Sequence, residues 1–88
     1  MTTIGVTTVL TDLLAEIAPD VDLDAVDLDA DMRAEMDLDS MDFLNLVEGI
    51  AERTGVDIPE ADYGQVRSFA GLVEYVTGRA SADLGPRT

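Results

Sequence analysis

Leu38-Asp39-Ser40-Met41-Asp42-Phe43-Leu44 contains the clearest helix start in the chain. Asp39 is a favoured N-cap residue, because its carboxylate accepts from amides that the first turn of a helix leaves without partners. Ser40 and Asp42 suit that first turn, and an acidic side chain there complements the positive end of the helix dipole. Farther on, Leu44, Val47, Ile50 and Ala51 recur at helical spacing and are expected to face the core, with Phe43 and Leu46 on the flanks. Asp42, Asn45, Glu48 and Glu52 follow at intervals of three, three and four, which places them on the opposite face. Thr54-Gly55 closes the helix with glycine at its C-terminal cap.

Upstream, Val6, Val9, Leu10, Leu13, Leu14 and Ile17 form one apolar stripe, predicting a helix from about Thr3 to Ile17. Thr2 or Thr3 caps its start, and Pro19 ends it, since the residue before a proline avoids the helical region. Between Pro19 and Leu38 a block repeats: Val21-Asp22-Leu23-Asp24-Ala25, then Val26-Asp27-Leu28-Asp29-Ala30. Its alternation suits a short strand, but aspartate is a poor strand former and no second strand candidate exists to pair with it. The segment is therefore read as a long ordered loop, with Leu23, Val26, Leu28, Met32 and Leu38 dipping into the core. Downstream, Val56-Asp57-Ile58-Pro59 is an extended link. Pro59 to Tyr63 suits one short helical turn stopped by Gly64. A last helix is expected from Ser68 to Gly78, with Phe69, Leu72, Val73 and Val76 inward. Residues 80–88 are expected to form a flexible tail after a single domain spanning 1–79. The fold class is thus all-α: a four-helix bundle with a long ordered loop between helices one and two and a short third helix.

Charge narrows the function. The 88 residues carry 19 acidic side chains against five arginines, with no lysine or histidine, for a formal net charge of −14. Such a surface repels nucleic-acid phosphates and anionic lipid heads, and attracts basic protein surfaces. The absence of cysteine excludes disulfides and thiolate catalysis. Without histidine or lysine there is no ordinary base to activate a serine, so a hydrolase built on Ser40 is excluded on inventory. Asp20, Asp22 and Asp24 fall at positions one, three and five of a calcium-type loop. However, Ala25 stands where that loop requires glycine and Asp31 where it requires a bidentate glutamate. No metal ligands are assigned. The amino-terminal stretch has neither the basic residues nor the apolar run of a signal peptide, so a cytoplasmic location is expected.

The Asp39-Ser40-Met41 segment resembles the acyl carrier protein family, whose Asp-Ser-Leu signature opens its second helix. The surrounding frame strengthens the likeness. Fifteen residues beyond Asp42 stands Asp57-Ile58-Pro59-Glu60, similar to the family's link between second and third helices. Val66 to Val76, with Tyr75, matches its last helix, and the resemblance spans roughly Val6 to Val76. Met41 replaces the usual leucine, a swap of similar volume. Asp37 stands where glycine is common, and aspartate adopts a positive φ at small cost if the position demands one.

The resemblance implies a carrier, not an enzyme. Ser40 would be esterified with 4′-phosphopantetheine derived from coenzyme A, with Asp39 as part of the motif. A free-standing carrier of this kind holds acyl intermediates as thioesters on the arm and presents them to other proteins. Implied partners are a phosphopantetheinyl transferase and acyl-transferring, ligase or synthase enzymes, met by a monomer. Met41 has two readings: an adaptable hydrophobic contact for partners, or a side chain folded back on the core. Asp42, Asn45, Glu48 and Glu52 are either a docking face or the solvated side of an amphipathic helix. An aminoacyl or peptidyl carrier, and an unmodified acidic interaction module, share the same sequence features.

Overall fold

The computed structural model describes residues 2–84. Their order is α1 (Thr3–Ile17), α2 (Met32–Glu35), α3 (Ser40–Thr54), a 3₁₀ helix (Glu60–Gln65) and α4 (Phe69–Leu84). The described residues are all-α, with three long helices, a short one in 3₁₀ form before the last and an added turn of helix in the first connection. The Thr2 hydroxyl caps α1 by accepting from the Gly5 amide at 3.0 Å. Helices α1 and α3 pack tightly at Gly49, where an added Cβ would meet Leu13 Cδ2 at 2.6 Å. Val6, Leu10 and Leu14 of α1, Leu46 and Ile50 of α3 and Leu72 and Val76 of α4 are fully buried. Aliphatic packing of this kind, at roughly 25 cal/mol per Å² of apolar surface removed from water, is the main force closing the bundle.

The connection between α1 and α3 is more structured than a loop. Asp22 accepts from the Asp24 amide through Oδ1 at 3.0 Å, and Asp27 accepts from the Asp29 amide in the same way at 3.0 Å. Backbone bonds Ala25 N–H to Asp22 C=O and Ala30 N–H to Asp27 C=O close both turns. The sequence repeat is therefore a repeated Asx turn, because a short carboxylate satisfies its own backbone better than a pleated ladder would. Asp31 then caps α2 by accepting from the Arg33 amide at 3.0 Å. The segment is pinned to the start of α4 by Met32 N–H to Arg67 C=O at 2.8 Å and Ala70 N–H to Leu28 C=O at 3.0 Å.

Four expectations need correction. The core face of α3 is Phe43, Leu46 and Ile50, while Val47 and Ala51 are half-buried and Leu44 is 41% exposed. The cause is tertiary: Phe43 packs edge-on against Tyr63 of the 3₁₀ helix, ring centroids 5.1 Å apart, and this rotates α3 away from the predicted stripe. Leu28 is 39% exposed instead of buried, since its carbonyl is committed to α4, whereas Met32 and Leu38 are buried as expected. The 3₁₀ helix continues through Gly64 to Gln65. Finally, α4 passes Gly78 and reaches Leu84 with Ala80 buried, so residues 80–84 are helix and not tail. An interior glycine costs a helix only about 1 kcal/mol, which the packing of Val76 and Ala80 offsets. Residues 85–88 of the expected tail lie outside the described residues.

Candidate functional site

Ser40 is the first residue of α3 and is exposed. Its position follows from the residues on either side. Asp37 adopts φ +52°, the left-handed conformation that the sequence allowed for. The turn this makes closes α2, with Leu38 N–H reaching back to Arg33 C=O at 2.9 Å in the pattern of a Schellman cap. Leu38 is thereby driven into the core, and the next residue, Asp39, is left extended at φ −89°, ψ −178° as the N-cap of α3. Asp39 Oδ1 accepts from Asp42 N–H at 2.8 Å, and Asp42 Oδ2 accepts from Asp39 N–H at 3.3 Å, a reciprocal capping box. Inside that box, one residue past the N-cap, the Ser40 side chain leaves the helix where no preceding turn covers it.

The cap engages Asp42 and separates it from the other expected docking residues. Its carboxylate faces back toward Asp39, and the residue is half-buried. Asn45, Glu48 and Glu52 are exposed and line a shallow groove between α1 and α3 with Glu16. Met41 is 65% exposed, so it does not fold back on the core. With the stripe rotated, Leu44 joins Met41 in an apolar pair on the outer surface of α3, bordered by Asn45 and Glu48. Leu44 is thus on the surface, although the apolar periodicity of α3 points it to the core.

A second group escaped the sequence reading altogether. Arg33 Nη2 donates to Ser40 Oγ at 3.1 Å, and the guanidinium carbon lies 5.9 Å from the centre of the Phe43 ring. Arg33 shares with Asp31, Phe43, Tyr63, Gly64 and Arg67 a cleft of about 280 Å³. The one available signal was isolation in charge: Arg33 is the sole basic side chain in residues 1–52.

Among the described residues no three acidic side chains converge into a cluster able to hold a metal ion, and no helix is long and apolar enough to cross a membrane. The residues around Ser40 suit a covalently attached phosphate ester. The hydroxyl is accessible, the amino end of α3 favours negative charge, and a guanidinium is already within hydrogen-bonding distance.

The chain is similar to known proteins. Residues 8–76 match the family described as "Phosphopantetheine attachment site". The chain is 30% identical over 56 residues to the acyl carrier protein of Lactobacillus johnsonii, an alignment covering 64% of this chain and 70% of that relative. No solved structure matches it. With a family match spanning the bundle from α1 to α4, the chain belongs to the acyl carrier protein family, and it is a carrier of covalently bound 4′-phosphopantetheine and not an enzyme.

Proposed function

We propose that Ser40 is the attachment point of the arm, and that the chain carries acyl groups bound through it between partner enzymes. The observation that carries the assignment is the exposed Ser40 hydroxyl at the mouth of α3, directly after a doubly bonded cap. When bound, the arm supplies the thiol that this cysteine-free chain lacks. The protein's own residues do the rest. Asp39 and Asp42 fix the first turn of α3, so the hydroxyl is held at a constant place on a rigid helix. Tethering there presents a group to partner sites at high effective concentration without a free-diffusing intermediate.

Membership of the family brings a phosphopantetheinyl transferase and acyl-handling enzymes as partners. The finer reading is that these meet the outer surface of α3: Met41 and Leu44 as an adaptable apolar centre, Asn45, Glu48 and Glu52 as a polar and acidic border. A basic rim on the partner would complement that border and speed encounter, as expected from a chain of net charge −14. A cytoplasmic monomer fits this role. Fatty acyl or polyketide intermediates are the proposed cargo class, with aminoacyl groups as the rival.

Intact mass spectrometry after incubation with coenzyme A, magnesium and a permissive transferase tests the assignment. The wild type should gain one arm and Ser40→Ala none. An unmodified wild type, or a modified Ser40→Ala, would refute it.

A further inference from the structure

We propose that Arg33 is a built-in counter-ion for the phosphodiester on Ser40, a positioning residue that holds the base of the arm. The proposal rests on attachment at Ser40. It is carried by how the chain spends its few cations. Among the described residues, Arg53 lies 3.9 Å from Asp12, Arg67 lies 3.9 Å from Asp31 and Arg79 lies 3.2 Å from Asp62. Arg33 is the exception: among the described residues no carboxylate lies within ion-pair distance of it, although acidic residues crowd its part of the chain. Its Nη2 instead donates to the neutral hydroxyl of Ser40 at 3.1 Å.

That arrangement leaves a charge unmatched where the modification adds an opposite one. A phosphodiester on Oγ is an anion placed between the Asp39 and Asp42 carboxylates in a chain already at −14. Both neighbours oppose it, and the amino end of α3 offsets only part of that repulsion. A guanidinium already at bonding distance from Oγ supplies the rest: the phosphodiester brings anionic oxygens within its reach, so a bond to a neutral hydroxyl gives way to an ion pair in which both partners are charged. Arg33 is prepared for this contact on both sides. Asp31 caps α2 through the Arg33 amide, and the Phe43 ring lies beneath the guanidinium. Its aliphatic stem starts from a helix closed by the Asp37 turn, so little reorganisation accompanies loading.

The test compares apo and fully loaded protein for wild type, Arg33→Gln and Arg33→Lys, with loading checked by intact mass. In wild type at low salt, the loaded form should melt at or above the apo form. In Arg33→Gln the loaded form should melt several degrees below its own apo form, and 1 M salt should shrink that gap. Arg33→Lys should recover part of the difference, since lysine keeps the charge but loses the fork of donors. The phosphorus NMR resonance of the loaded protein should shift between wild type and Arg33→Gln. Equal apo-to-loaded melting differences together with an unmoved resonance would overturn the proposal. If Arg33→Gln does not fold, a salt titration of the wild-type phosphorus resonance reads the same contact: drift supports it and a flat line overturns it. Failure of the attachment site itself is separate, because it shows in the mass spectrum as a wild type that gains nothing or a Ser40→Ala variant that is modified.

Discussion

Asp39→Ala should unfold the start of α3 more readily than any other single truncation in the attachment loop. The side chain accepts from Asp42 N–H at 2.8 Å, and its own amide is held by Asp42 at 3.3 Å. Replacing an N-cap aspartate by alanine costs about 1 kcal/mol, within a range of about 0.5–2. Loss of a charge near the helix's positive end adds about 0.3–1 kcal/mol at low ionic strength. Relief of repulsion from neighbouring carboxylates works the other way, so the net loss should be about 1–2 kcal/mol. For a chain of this size each kcal/mol lowers Tm by about 4–8 °C. Asp39→Asn separates the terms, since it keeps the acceptor and removes the charge, and it should cost at most about 0.5 kcal/mol. Asp42→Ala removes the longer return bond and a first-turn charge at a half-buried position, and should cost about 0.5–1 kcal/mol, less than Asp39→Ala. Urea unfolding followed by far-UV circular dichroism measures all three. Equal losses for Asp39→Ala and Asp39→Asn would show that charge, not capping, is what matters. A larger loss for Asp42→Ala than for Asp39→Ala would refute the direction assigned to the box.

Other tests probe features away from the cap. Asp37→Gly should leave stability unchanged or raise it by up to about 1 kcal/mol, whereas Asp37→Val should lower it by about 1–2 kcal/mol, because φ is +52° there; denaturant midpoints decide. Leu46→Ala should cost about 2–5 kcal/mol while Leu44→Ser stays within about 0.5 kcal/mol; similar losses at both would contradict the observed rotation of α3. The Tyr75 hydroxyl donates to Asp62 Oδ2 at 2.5 Å, and this bond to a carboxylate raises the tyrosine pKa, with burial adding to it and the nearby Arg79 opposing it. The folded state therefore holds that proton more tightly. Its contribution is full below the unfolded value of about 10 and is lost as pH rises through the higher folded value, so Tyr75→Phe should flatten the alkaline fall in Tm. Raising salt from low to moderate concentration, or adding divalent ions, should raise the melting temperature of a chain at −14, and a flat response would count against repulsion as a destabilising term.

The features legible in the sequence are those decided by neighbours within a few residues. The cap at Asp39 and Asp42, the closing glycine at Gly55 and the span of α1 all follow from local backbone chemistry, while the left-handed turn at Asp37 is suggested only by the family's glycine at that place. The rotation of α3 does not. Phe43 and Leu44 are adjacent apolar residues, and only the arrival of Tyr63 from the 3₁₀ helix decides which one is buried. Helix α2 was likewise hidden, since four residues carry no periodicity and depend on Asp31 and Asp37 to close both ends. Arg33 meets Ser40 across seven residues and two elements, a distance at which no spacing rule operates.

The duplicated turns between Pro19 and Ala30 have a consequence for how this connection tolerates change. Each Val-Asp-Leu-Asp-Ala block is turned by its own first aspartate and one backbone bond, while Val21, Leu23 and Val26 pack against the bundle and the Asp27 amide donates to Glu35 Oε1 at 3.0 Å. Backbone bonds then fasten the connection near the start of α4 at Leu28, inside the second block, and at Met32 beyond it. A further block could fold its own turn but would find no bundle surface for its apolar residues, so packing, and not turn geometry, sets the length of the span.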